Sequence, residues 1–148
     1  MQKILLVENS VTDAICVRRA LKALNVLNPV TYFSEGADAM ASLGEMEQKA
    51  ASDPSVVPSI LLLDLKLAGA FEILEHLHRR SAFSEMLKIV MAPLSEVASI
   101  RKAYRLGART LLSKPINVAD LRQPIKRHPS HWDLKKSSPS TPVPLPVT

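Results

Sequence analysis

The feature that most constrains this chain is a series of short, continuously apolar segments, each followed by a stretch of helical periodicity. Lys3-Ile4-Leu5-Leu6-Val7 reads as a buried strand and Val30-Thr31-Tyr32-Phe33 as a second; Ser59 to Leu65, Leu87 to Ala92 and Thr110-Leu111-Leu112-Ser113 follow as three more. A sheet with one face in water alternates apolar and polar residues along each strand, and these runs do not, so both faces are expected to be covered. Ser10-Val11-Thr12-Asp13 has the form of a capping box opening a helix through about Leu24. A second helix is expected from about Gly36 to Ala50, with Ala39, Met40, Leu43 and Met46 at helical spacing. Phe71 to Arg80 carries the stripe Ile73, Leu74 and Leu77, and Ser95 to Leu106 stops at Gly107, a residue suited to a left-handed cap. Asn117-Val118-Ala119-Asp120 starts a fifth helix, which Pro124 should kink or shorten by removing a hydrogen bond. Strands alternating with helices in this way predict an α/β fold: a doubly wound, five-stranded parallel sheet with five flanking helices.

At 148 residues the chain suits one domain. Residues 1–128 are expected to form it, and residues 129–148, rich in Pro and Ser, a flexible or extended tail in which Trp132 and Leu134 fold back on the domain. Hydrophobic residues at 47% and charged residues at 22% exclude a chain disordered throughout. A lone Cys16 cannot close an internal disulfide, and the apolar run after Lys3 is too short for a signal peptide or a membrane span, so a cytoplasmic protein with no membrane partner is expected. The formal charge of +5 is spread over helix faces and the C-terminal end, and aromatics make up only 4%, which disfavours a nucleic-acid platform.

Ligands of a doubly wound sheet sit beyond the carboxyl ends of its strands. The first apolar run ends in Glu8-Asn9, the third in Asp64 and the fifth in Lys114-Pro115, and these converge if the strand order is 2-1-3-4-5. Two acids, an amide and a lysine make a plausible site for Mg²⁺ and a phosphoryl group: hard oxygen ligands suit the cation, and Asp is a nucleophile of the aspartyl-phosphate type. Each residue taken singly has an ordinary reading as well. Glu8 would sit well near the positive end of the first helix, Asn9 would suit a turn, and Lys114 alone is more often a surface lysine before a turn proline. His76, His78, His128 and His131 lack the spacing of a metal set. Only 4 glycines occur, none between the first strand and the first helix, which disfavours a phosphate-cradling nucleotide enzyme.

At these residues the chain resembles the receiver domain of two-component response regulators. The likeness rests on Ile4-Leu5-Leu6-Val7-Glu8-Asn9, on Leu61-Leu62-Leu63-Asp64-Leu65, and on Ala103-Tyr104-Arg105-Leu106-Gly107-Ala108 followed by Leu112-Ser113-Lys114-Pro115. It covers about residues 1 to 128, and the loop with Pro54 and Pro58 looks like that of small receivers that partner bacterial phytochromes. The resemblance implies a flavodoxin-like sheet of order 2-1-3-4-5, Asp64 as phosphoacceptor, Lys114 as phosphoryl-binding lysine, and a metal site of Glu8, Asn9 and Asp64. It implies a stand-alone signalling protein rather than an enzyme, phosphorylated by a histidine kinase or phosphotransfer protein. Its contacts would be made through the fourth helix, fifth strand and fifth helix, self-association included.

Three positions depart from that pattern. Asn9 replaces an acid that usually contacts Mg²⁺, so binding of the cation should be weak. Ala92 replaces the usual Ser or Thr and Leu111 the usual aromatic, so the coupled hydroxyl and aromatic switch is absent in its ordinary form. The segment Lys66-Leu67-Ala68-Gly69-Ala70-Phe71 lacks the expected Pro and Asp-Gly and is about two residues short. These departures support an alternative: a degenerate receiver that acts as a phosphorylation-independent interaction or dimerisation module.

Overall fold

The computed structural model describes residues 1–136. Five parallel strands, β1 (Ile4–Val7), β2 (Val30–Phe33), β3 (Ile60–Asp64), β4 (Leu87–Ala92) and β5 (Thr110–Ser113), lie in the order β2-β1-β3-β4-β5. Five helices alternate with them: α1 (Val11–Ala23), α2 (Gly36–Ala50), α3 (Ala70–His78), α4 (Val97–Arg105) and α5 (Val118–Arg127). Element ends differ from the sequence expectation by one or two residues, as frayed ends do.

The period-two geometry of strands divides their apolar runs between two cores. Leu5, Val7, Leu61, Leu63, Val90 and Ala92 face one side, where they pack with Ala39 and Leu43 of α2, Ile73, Leu74 and Leu77 of α3, and Ala103 of α4. Ile4, Leu6, Ile60, Leu62, Ile89 and Met91 face the other, against Ala14, Val17 and Leu21 of α1 and Leu121 of α5. Every residue of β1, β3 and β4 is buried, which is why these runs carry no polar alternation. Lys88 breaks that chemistry: it points to the same side as Val90 and Ala92 and is only 6% exposed.

Two local features hold the ligand end of the sheet in place. A Cβ on Gly36 would collide with the backbone oxygen of Ala68, so this glycine lets α2 pack directly on the loop after β3. Gly107, at φ 96°, follows the last turn of α4, with its N–H on Tyr104 O and the Ala108 N–H on Ala103 O. That is a Schellman cap, and it delivers the chain into β5.

α5 runs through the buried Pro124 and ends at Arg127, within the turn that follows it. One sequence expectation needs correction. Residues 129–136, assigned to the tail, belong to the packed unit. Pro129–His131 form a 3₁₀ turn, Trp132 is buried among the α1/α5-side core, and Leu134 bridges Val26 in antiparallel fashion. Asn28 anchors this return, donating to His131 O at 3.0 Å and accepting from the Asp133 N–H at 2.7 Å. The expected flexible tail over residues 137–148 lies outside the described residues.

Candidate functional site

The carboxyl ends of β1, β3 and β5 converge because β1 lies beside β3, and the loop after β5 reaches back across β4. Asp64 ends β3, is 2% exposed, and accepts the Lys66 N–H on Oδ1 at 3.0 Å. Lys114 follows β5 across a cis peptide to Pro115, and its N–H bonds Ala92 O at 3.1 Å. Its ammonium sits 2.8 Å from Glu8 Oε2, 2.9 Å from Asp13 Oδ2 and 3.4 Å from Asp64 Oδ1. The sequence grouped Glu8, Asp64 and Lys114, and the fold brings all three together. Asn9 lies next to them in the chain but is exposed at the rim.

Asp13 is the residue the sequence reading missed. Read as the reciprocal acid of a capping box, it fills only half that role: Ser10 Oγ does accept the Asp13 N–H at 3.2 Å, but the Asp13 carboxylate turns to Lys114 instead of to the Ser10 N–H. Glu8 Oε1 takes that donor at 3.1 Å. The available signal was position: an acid in the first turn of the helix that follows the Glu8 strand lies at the ligand end of the sheet.

Burial governs the electrostatics. Glu8 is wholly buried; desolvation, reinforced by the neighbouring Asp64 carboxylate, outweighs Lys114 and the Ser10 N–H and pushes its pKa up to about 7. Burial alone would lower Lys114, yet its contacts with Glu8 and Asp13 and the charge on Asp64 hold it above the ordinary lysine value. The Glu8–Lys114 contact is close, but Oε2 receives no well-aligned N–H and is sealed from water, so it has charge neutralisation without a proper hydrogen bond.

That orphaned oxygen fits a cation. Three carboxylates against one ammonium leave an excess of negative charge, and Mg²⁺ is commonly held by one or two carboxylates with water completing its shell. Among the described residues no group of three or more His, Cys, Asp and Glu is placed to cage a metal ion, and all three carboxylates here face Lys114. The fit is therefore to a cation held by Glu8 and Asp64 and otherwise hydrated.

Beside the site, Ala92 is fully buried at the end of β4, where its methyl group offers no donor. Leu111 pairs with Val90 across the sheet and is half-buried against the α2–α4-side core. Lys66 reaches Glu96 across the rim at 3.4 Å, an exposed pair of small energetic weight.

No family model matches the chain. In sequence it is similar to the probable methanogenesis regulatory protein FilR2 of Methanothrix harundinacea (strain 6Ac), 25% identical over 131 residues, which cover 87% of this chain and 82% of the relative. It is 27% identical over 131 residues to response regulator Rcp1 of Synechocystis sp. (strain ATCC 27184 / PCC 6803 / Kazusa), covering 87% of each. The Mn²⁺-bound crystal form of response regulator Rcp1 superposes with a TM-score of 0.66 at 26% identity, over 86% of this chain and 91% of that one. The bacteriophytochrome response regulator RtBRR gives 0.76 at 25% identity, over 95% and 86%. Among the described residues no helix is long and apolar enough to cross a membrane.

Proposed function

We propose, for a chain that its curated and structural neighbours identify as a response regulator receiver domain, that Asp64 accepts a phosphoryl group within a two-component phosphorelay. The donor is a phosphohistidine of a histidine kinase or phosphotransfer protein, and the work is done in the cytoplasm. The observation that carries this reading is the Lys114 ammonium, held 3.4 Å from Asp64 and 2.8 Å from Glu8 at the carboxyl ends of neighbouring strands.

Asp64 Oδ1 is occupied by the Lys66 N–H and faces Lys114, whereas Oδ2 makes no hydrogen bond among the described residues and is not sealed from solvent. Oδ2 is thus the oxygen free to attack. It forms the new O–P bond as the N–P bond of the phosphohistidine breaks, and the leaving imidazole keeps the electron pair and takes up a proton. Lys114 turns its ammonium to the phosphoryl oxygens and balances their charge. Mg²⁺, when bound at Glu8 and Asp64 with Asn9 at the rim, supplies further charge neutralisation on the same oxygens; Rcp1 has been crystallised with a divalent ion, Mn²⁺. Tyr32 Oη donates to Glu8 O at 2.7 Å and so fixes the strand end that carries this acid. Exposed Leu94, Val97 and Tyr104 beside β5 supply apolar area for a partner or a second copy on the α4–β5–α5 face.

One observation favours a second reading, a receiver used without phosphorylation: the fully buried Ala92 and the half-buried Leu111 supply neither hydroxyl nor aromatic ring to register a phosphoryl group. Acetyl phosphate with millimolar Mg²⁺, followed by intact-mass measurement, separates the two. The phosphorelay reading expects one added phosphoryl group, absent from Asp64→Asn. An unmodified wild-type chain under these conditions leaves the second reading standing.

A further inference from the structure

The opposite edge of the sheet holds a cluster that the phosphorelay reading does not use. Lys88, the second residue of β4, is only 6% exposed, and burial lowers its pKa; among the described residues it forms no ion pair. Lys88 lines a cavity of about 320 Å³ together with Arg109, His128, His131 and Gly107. Gly107 lends the space: a Cβ there would stand 3.7 Å from Lys88 Nζ and 3.0 Å from His78 Nδ1.

The lining is one-sided in charge. Glu85 is its one acid, and that side chain is exposed and forms no ion pair with the cavity's bases among the described residues. His131 Nε2 lies 2.9 Å from Glu85 O; since a carbonyl only accepts, that nitrogen carries the proton and holds the ring in place. His128 stands edge-on to it at 5.9 Å, and desolvation together with the charges of His131, Arg109 and Arg127 lowers its pKa. A cation on a largely buried stem, with two imidazoles and a guanidinium lining the same space, favours a bound anion. A cavity of this size admits a small ligand.

We infer that this cavity binds the phosphate group of a small anionic ligand, with Lys88 at its base and Arg109 at its mouth. Arg109 is exposed and free to fold its planar fork over phosphate oxygens, while Lys88 provides a point charge from beneath. His128 contributes a ring N–H from the side. The geometry distinguishes this site from the Asp64 site, since Lys88 is near the amino end of β4 and Met91, paired with Asp64, is near its carboxyl end.

Inorganic phosphate is the probe, titrated into the full chain without divalent metal while the ring-proton resonances of His128 and His131 are followed by NMR. Saturable shifts at both rings are expected. Lys88→Met, which keeps the apolar stem, and Arg109→Gln, on the surface, should each weaken the response about tenfold or more, that is by about 1.4 kcal/mol. Amide spectra of both variants confirm the fold; if Lys88→Met does not fold, Arg109→Gln decides. The inference is overturned by rings that do not respond in the wild type, or by unchanged affinity in a folded Lys88→Met chain.

Discussion

Replacing Lys114 with Met keeps the length of the side chain and removes its charge, leaving Glu8, Asp13 and Asp64 without their shared partner. At the observed separations of 2.8, 2.9 and 3.4 Å, each pair is worth about 5–6 kcal/mol of gross attraction at an effective dielectric of about 20. Desolvation already consumes most of that, so the gross sum is not the answer. The relevant quantity is the cost of stranding a buried charge, about 3–5 kcal/mol when one partner is removed. Glu8 is wholly buried, but with a pKa raised to about 7 it meets the condition only where it is ionised and near neutral pH escapes by taking up a proton; Asp64, at 2%, is also buried, while Asp13 is partly open to water and contributes less. Lys114→Met should therefore lower the unfolding free energy by about 3–5 kcal/mol in chelator-treated buffer at about pH 9, where Glu8 is ionised, and by less as pH falls through 7, read by urea denaturation with Trp132 fluorescence. Trp132 is the chain's one tryptophan and is buried in the core, so its emission reports the whole transition. Adding Glu8→Gln to Lys114→Met should recover about 1–3 kcal/mol, because the stranded carboxylate is then gone. A loss under about 1 kcal/mol, or strict additivity of the two changes, would refute the picture of a charge-locked site and return Lys114 to the status of a solvated lysine.

Asn9→Asp restores a charge at the rim. At about 4 Å and an effective dielectric of about 20 such a charge offers about 4 kcal/mol per unit of cation charge, and even a third of that tightens Mg²⁺ binding about tenfold; calorimetric titration giving an unchanged Kd would contradict it. Trp132→Ala should cost about 3–5 kcal/mol in thermal melts followed by circular dichroism, the scale of a buried aromatic truncation, and a chain ended after His128 should fall in the same direction. A melt within about 0.5 kcal/mol of wild type would place residues 129–136 outside the cooperative unit. Lys88→Met should stabilise the free protein by about 0.5–2 kcal/mol at neutral pH. The sign follows from the lowered folded-state pKa: the penalty of the buried ammonium is fully present below that pKa and fades as pH rises toward 10.5, the unfolded value. The advantage of the variant in urea melts should shrink between pH 7 and pH 10 accordingly, and an advantage that grows with pH would be the wrong sign.

The parts of this fold that were legible in the sequence are those where one physical demand dominates. Continuous apolar runs such as Leu61-Leu62-Leu63 have one economical use, a strand covered on both faces, and the order of strands and helices followed from them. Asp64, Glu8 and Lys114 were legible as a group for a related reason: a doubly wound sheet gathers the carboxyl ends of its central strands. What was missed involves residues with two competing roles. Asp13 satisfied a local capping pattern, and local patterns say nothing of a lysine 101 residues away in sequence. The folding back of Trp132 and Leu134 was expected, but its anchor was not: the Asn28 side chain bonds His131 and Asp133 more than a hundred residues away, a pairing no window of sequence contains. Lys88 did leave a trace, a charge inside an apolar run, but its meaning needed the neighbours that the fold brings to it.

A site that can receive a group is not by itself a switch that can report it. A phosphoryl group on Asp64 has a counter-charge waiting in Lys114, and gaining it requires that ammonium to loosen its hold on Asp13, at the first turn of α1. The usual hydroxyl route through β4 is closed by Ala92, whose nearest link to the site is the hydrogen bond from the Lys114 N–H to its carbonyl. A ligand shifts an equilibrium only by its differential interaction with the two states, and here the interactions that change lie between β5, α1 and β1. The exposed Lys66–Glu96 pair is too weak to carry the change to α4. Phosphorylation of this chain should therefore perturb amide resonances around Ser10–Ala14 and Lys114–Asn117 more than those of α4. Beryllofluoride in place of phosphate tests this by NMR, and shifts concentrated in Val97–Arg105 would show that the β4 route operates without its hydroxyl.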